Sequence, residues 1–245
     1  MWNRVNVVQL TADLQAAATG AGFTDATYGT VDDYRLLGLV RSAAERSPDR
    51  RAVYLSAGIH GDEPAGPLAL LELLRSDALP LHHDYVICPL MNPTGLEAGT
   101  RENHDGLDLN RGYSDFRAVE LRTHRDWLQR QLRALDLSIH LHEDWEAQGF
   151  YLYELNFGDA VDYADRMLRA VIRFLPVESA TLIDGRPAKA GVIRPETIPD
   201  LPEGMPEAIY LQQNYGGLNY TIETPSTLPM DLRVGAQKAA VLATL

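Results

Sequence analysis

With 245 residues, 45% of them hydrophobic and 23% charged, the chain has the composition of an ordinary globular protein, not of a disordered or fibrous one. Thirty-four acidic against twenty-two basic residues give a net charge of -12, which repels phosphate backbones and anionic bilayers. No basic patch in the sequence overrides it, so nucleic acid is excluded as a partner, and with Cys88 as the one cysteine an intrachain disulfide and a thiolate zinc cage are excluded too.

At the amino terminus, Met1-Trp2-Asn3-Arg4 lacks the charged-then-apolar signature of a leader, and no stretch approaches the ~18 apolar residues of a membrane span. The expectation is a cytoplasmic protein without a membrane partner, folded as a single domain over residues 1–245. Ala52 to Ala57 and Asp84 to Leu90 read as buried strands, short and rich in Val, Ile and Tyr, with a helical Leu68 to Leu74 between them. That order is the sequence form of a right-handed crossover in a mostly parallel sheet.

Further along, Phe116 to Leu135 keeps apolar residues at helical spacing through Val119, Leu121, Trp127, Leu128 and Leu132. Strands are expected at Leu137 to Leu141 and Phe150 to Leu155, then a helix from about Asp159 to Phe174. The proline- and glycine-rich stretch from Thr181 to Pro206 must be mostly loop or short edge strands. Ala208 to Gln212 and Asn219 to Thr224 read as the last two strands, and Leu232 to Leu242 as a closing helix.

The chemistry gathers at strand ends. In Gly58-Ile59-His60-Gly61-Asp62-Glu63-Pro64 the proline suits a first helical turn and restrains Glu63 from being helical, so His60 and Glu63 lie on a strand-to-helix turn. There an imidazole and a carboxylate three residues apart can reach one zinc ion, and Gly58 and Gly61 leave room for close approach. His140 and His142, two apart near the end of a strand, project to one face, and either supplies a third ligand. One of Glu143 and Asp144 is expected to orient an imidazole. Glu223, just before Thr224-Pro225 on the last strand, reaches the same sheet edge, where a carboxylate can act as a base. His82-His83, His104 and His124 read as surface or loop residues, and Tyr151, Tyr153, Glu154 and the Tyr210 to Tyr220 region as candidate pocket lining.

These fragments together resemble the zinc carboxypeptidases of the carboxypeptidase A type, with their aspartoacylase and succinylglutamate desuccinylase relatives. His60-x-x-Glu63 looks like the family's first two ligands, Asn92-Pro-Thr-Gly95 like its NPDG-like turn, and Arg101 like its oxyanion arginine. Asn110-Arg111 looks like the pair that grips a substrate carboxylate, and Glu223 like the general base. Ser138-Ile139-His140 resembles the SIH of animal carboxypeptidases and Leu141-His142 the DLH of the desuccinylase branch; the reading takes His142 as third ligand, with His140 as the alternative. The resemblance implies a three-layer α/β/α sandwich with a mixed, mostly parallel sheet and one bound Zn2+. It implies hydrolysis that removes a carboxyl-terminal amino acid from a small peptide, or else cleavage of an N-acyl amino acid. A zinc-binding module without turnover is the remaining alternative, disfavoured because every expected position is filled.

Overall fold

The computed structural model of the protein describes residues 5–158, 161–199 and 201–245, so Met1-Trp2-Asn3-Arg4 and the expected helix start at Asp159 lie outside the described residues. Helix α1 (Val7–Gly20) begins behind Asn6, whose side chain accepts from Gln9 N at 2.9 Å and so satisfies one of the open donors of a helix start. Four short strands follow: β1 (Thr24–Asp25), β2 (Gly29–Val31), β3 (Tyr34–Leu36) and β4 (Leu39–Arg41). The expected alternation then sets in with β5 (Ala52–Ala57), α2 (Ala65–Arg75), β6 (Asp84–Cys88) and α3 (Pro93–Ala98). After a 3-10 turn at Leu109–Arg111 come α4 (Val119–Gln131), β7 (Leu137–Asp144), β8 (Tyr151–Leu155) and α5 (Ala164–Val171). The proline-rich stretch carries only two-residue strands, β9 (Leu182–Ile183), β10 (Arg186–Pro187) and β11 (Val192–Ile193), before α6 (Glu207–Tyr215), β12 (Leu218–Pro225) and α7 (Met230–Leu242).

Eight strands form one mixed sheet in the order β1-β4-β6-β5-β7-β12-β8-β11. Its centre is parallel: β6, β5, β7 and β12 run together, while β4 and β8 pair antiparallel with β6 and β12. Side chains alternate across it. Val53, Leu55, Ile87, Leu137, Ile139, Leu141, Tyr220 and Ile222 point to one face, where α1, α2, α5 and α7 bury their apolar stripes. Tyr54, Val86 and Cys88 point to the other, against Trp127 and Leu128 of α4 and Tyr210 and Leu211 of α6. This is the three-layer sandwich expected from the sequence, with a mostly parallel central sheet. Among the described residues no helix is long and apolar enough to cross a membrane.

Three expectations need correction. Ala208 to Gln212 is not a strand but the body of α6: Pro206, extended at φ -69° and ψ 158°, leads into it, Glu207 favours its positive end, and Glu207 and Leu211 bury one turn apart on the same side. The alternation of Ile209 and Leu211 mimicked a strand over too few residues to decide. Helix α4 is shorter than Phe116 to Leu135, because Phe116 takes φ 53° and Leu132 is already extended. His83 and His124, expected at the surface, are fully buried, His124 inside α4.

Candidate active site

Parallel pairing brings the carboxyl ends of β5, β7 and β12 to one edge of the sheet, the place where ligands bind in open α/β folds. Ala57 lies level with Leu141, and Glu223 level with His142, so the turn after β5 meets both strands. Pro64 caps α2, as its sequence position implied, and the turn before it holds His60 and Glu63. Gly61 is obligatory there: a Cβ would come within 2.0 Å of Gly95 C. Its N–H donates to Arg101 O at 3.3 Å, and Asn92 Nδ2 donates to the same oxygen at 3.2 Å while Asn92 Oδ1 caps α3 at Gly95 N. The Asn92-Pro93 motif is thus a brace between two loops at this edge of the sheet.

His60, Glu63 and His142 offer ligand atoms that all lie within 4.8 Å of one another, and each is buried. His60 Nδ1 stands 2.5 Å from Glu63 Oε1 and His142 Nδ1 2.9 Å from Glu63 Oε2. Arg101 Nη1 also approaches His60 Nδ1 at 3.3 Å. A guanidinium can only donate, so a protonated Nδ1 would oppose Arg101 and an unprotonated one would oppose the carboxylate. A cation between the nitrogens and the carboxylate removes that conflict, and two imidazoles with one carboxylate are a zinc-type donor set. On the far side of the ring, buried His60 Nε2 lacks a well-formed hydrogen bond and faces Asp108 Oδ1 at 3.4 Å. That is where a carboxylate orients a metal-binding imidazole. The donor set fits a divalent ion.

Electrostatics follow from this crowding. Burial raises Glu63, but His60 and His142 overcome it and hold its carboxyl well below the usual range. For His60, burial lowers the pKa, and Glu63 and Asp108 more than offset it, pushing the ring up to about 9. Glu223 moves the other way: burial, with Glu63 and Asp144 nearby, pushes its carboxyl well above the usual range against the pull of His142. A base held in an apolar, anionic setting binds a proton more strongly than a solvated carboxylate.

Asp108 is the hub of the opposite wall. It grips Arg101 at 3.0 Å through both Nε and Nη2, and its Oδ1 accepts from Asn110 N at 2.9 Å to close the 3-10 turn. Arg101 is therefore fixed beside Glu63, with Nη1 3.9 Å from Oε1. Arg111 forms no ion pair among the described residues; its Nη1 donates only to Asn110 O at 3.1 Å. All seven residues singled out from the sequence, His60, Glu63, Arg101, Asn110, Arg111, His142 and Glu223, line one cavity of about 510 Å3. Tyr151 and Tyr153 line it too, with their hydroxyls tied to Asp144 at 2.9 Å and Asp184 at 2.7 Å.

The structure separates the two histidines of β7. His142 joins Glu63, whereas His140 packs into the sheet beside Ser56 Oγ at 2.9 Å and Glu207 Oε2 at 3.0 Å. Neither carboxylate expected to orient an imidazole does so. Glu143 lies on the sheet's other face, where it accepts from Ala65 N of α2 at 2.7 Å and pairs with Arg233 of α7, and Asp144 accepts from Tyr151 Oη and Glu146 N. Asp108 faces the His60 ring instead. Glu207 escaped notice in the sequence because its surroundings read as a strand; Pro206-Glu207, a proline followed by an acid, was the available sign of a helix start.

The catalytic-domain model of the succinylglutamate desuccinylase/aspartoacylase family matches residues 49–171. No curated protein matches the chain. Among solved structures, a Shewanella denitrificans protein provisionally named a metallopeptidase is 25% identical with a TM-score of 0.81, over 96% of this chain and 88% of its own. A similarly named Shewanella amazonensis protein is 24% identical with a TM-score of 0.83, over 97% and 91%. A metallo-carboxypeptidase from Pseudomonas aeruginosa, solved with (2-guanidinoethylmercapto)succinic acid, shares the fold at 21% identity and a TM-score of 0.67, over 96% and 68%.

Proposed function

This chain belongs to the succinylglutamate desuccinylase/aspartoacylase catalytic-domain family, and from that premise we propose that it is a zinc-dependent hydrolase that releases an amino acid with a free carboxylate by cleaving the amide bond on its nitrogen. The observation that carries the reading is the company Arg111 keeps: a guanidinium without an ion-pair partner among the described residues lines the same cavity as the His60–Glu63–His142 donor cluster and Glu223. The whole chain, residues 1–245, acts as one catalytic domain in this reading.

Roles follow from the chemistry of each side chain. His60, Glu63 and His142 would hold one zinc ion, which when bound supplies a Lewis acid and lowers the pKa of water. Asp108 keeps the His60 ring oriented through Oδ1 and, with Oδ2 accepting from both Nε and Nη2, keeps Arg101 aimed at the side of the site where oxyanion charge develops. Glu223 takes a proton at its carboxylate from the attacking water and returns it to the leaving nitrogen. Arg111 pairs its fork with the substrate carboxylate, with Asn110 as a second donor.

What lies on the acyl side separates two readings. The metallopeptidase names of the structural neighbours favour a short peptide that loses its carboxyl-terminal residue; the family model favours a small N-acyl amino acid. Zinc-loaded protein should be assayed against carboxyl-terminal peptides, cell-wall peptides and N-acyl amino acids, each beside its carboxamide. Faster cleavage of free acids than of their carboxamides is expected, with Arg111→Ala raising KM about tenfold for acids and leaving that of the amides unchanged. Equal KM shifts on acid and amide would remove Arg111 from carboxylate recognition, and hydrolysis of N-acyl amino acids alone would decide for the second reading.

A further inference from the structure

Beneath the cavity floor lies a buried polar cluster that the hydrolytic roles leave unused. Glu207, the first residue of α6, is 1% exposed, yet donors face both of its oxygens. Tyr54 Oη donates to Oε1 at 2.6 Å, Ser56 Oγ donates to Oε2 at 2.8 Å, and His140 Nδ1 lies 3.0 Å from that same Oε2. His124 stands behind them, its Nε2 3.0 Å from Tyr54 Oη and its Nδ1 2.8 Å from Tyr113 Oη. Burial raises the Glu207 carboxyl, and His140 more than offsets this, holding it at about 2. Burying a carboxylate this deeply is costly unless both oxygens find donors, and here the sheet supplies Tyr54 on one and Ser56 and His140 on the other.

The backbone of the same residue points at the cavity wall. Glu207 N donates to Asn110 Oδ1 at 3.0 Å. An amide has one accepting end and one donating end. With Oδ1 engaged, Nδ2 is the end left for the cavity, and a substrate carboxylate, which only accepts, needs a donor there. The opposite flip would set an oxygen against an anion. The segment before α6 presses on the same turn: Tyr113 N donates to Met205 O at 3.1 Å, and Gly204, at φ 122°, has no room for a Cβ, which would come within 2.2 Å of Arg111 O.

We propose that Glu207 is a positioning residue: its carboxylate, anchored by Tyr54, Ser56 and His140, fixes the start of α6 so that the Glu207 N–H holds Asn110 with its donor end toward the substrate carboxylate. This rests on the carboxylate recognition proposed above for Asn110 and Arg111 and adds the device that presets it. Glutamine cannot replace Glu207, because one amide oxygen cannot accept on both sides where donors converge.

Equilibrium binding of 4-oxopentanoic acid and 4-oxopentanamide, which copy N-acetylglycine and its amide with CH2 in place of the scissile N–H, to the zinc-loaded protein, followed by calorimetry, tests it without turnover. The wild-type protein should prefer the acid. Glu207→Gln should weaken acid binding about tenfold and leave amide binding within about twofold. Tyr54→Phe, which removes one donor and keeps the ring, should shift the acid-to-amide ratio about threefold in the same direction. Asn110→Asp should abolish the acid preference with Glu207 intact. An unchanged ratio in folded Glu207→Gln, or in Tyr54→Phe should the first variant not fold, overturns the proposal, as does an acid preference that survives in Asn110→Asp. A wild-type protein with no preference for the acid would instead refute carboxylate recognition itself.

Discussion

Two imidazole–carboxylate groups lie on the same sheet face, two residues apart along β7, and only one of them resembles a metal site. At His140 every approach is filled from within the fold: Ser56, Glu207 and Asn219 surround the ring, and Tyr54 packs on it. At His142 the ring nitrogen shares one carboxylate with His60 Nδ1, and all three residues border the cavity. Burial and the pairing of histidine with glutamate are common to both. What separates them is convergence of donors on a point open to a ligand, against donors and acceptors matched among themselves. The difference teaches that a histidine's role is set by what faces its second partner, and it explains why a choice between His140 and His142 could be framed from the sequence but rested on motif likeness.

The sharpest way to break this comparison is to remove one histidine from each group. His60→Ala and His142→Ala should each lose bound zinc and turnover together. His140→Asn should keep stoichiometric zinc, measured by atomic absorption on the dialysed protein, and lose about 1–3 kcal/mol of stability in urea titration because Ser56 and Glu207 lose a buried partner. Zinc lost from His140→Asn and kept in His142→Ala would invert the assignment.

A second contrast lies within the open group, between the residues proposed to hold the ion and the one proposed to move a proton. Glu223→Gln should keep zinc and lower kcat by about 10²–10⁴, the range of general acid–base catalysis, with a smaller change in KM. Wild-type kcat on a substrate found in the panel would exclude Glu223 as the base.

How far the sequence foretold these groups depends on the distance over which each is assembled. The metal-side turn was legible because Gly58, Gly61 and Pro64 punctuate it locally, and proline at the start of α2 fixes where Glu63 must stand. Strands β5, β7 and β12 were legible from short apolar runs, and their parallel order places His60, His142 and Glu223 at one edge. The closed group was not legible. Tyr54, Ser56, His124, His140 and Glu207 come from four separate elements, and each taken alone is an ordinary polar residue in a strand or helix. Glu207 was hidden further by the apparent alternation of Ile209 and Leu211, and His124 by charges flanking it in α4. In the first fifty residues α1 went unread although Val7, Leu10, Leu14 and Ala18 recur at helical spacing, whereas the four strands after it, two or three residues each, are too short to carry a pattern.

The smallest expected effect probes the closed group through acid. Burial holds His124 down to about 4, below the ~6.5 of an unfolded chain, and His83, buried beside Arg51, is also held down to about 4. Below pH ~6.5 the unfolded chain binds protons at both sites while the folded protein does not, so stability falls as pH drops from ~6.5 to about 4 and levels once the folded rings titrate. For fully buried His124 the whole window is worth about 3 kcal/mol. His124→Gln removes that proton site, so its urea midpoint should fall less steeply than the wild type's over this window, with His83→Gln removing a separate share of the slope. Identical slopes for wild type and His124→Gln would mean that the ring is charged inside the fold, and the tyrosine pair at its two nitrogens could then not be its partners as donor and acceptor.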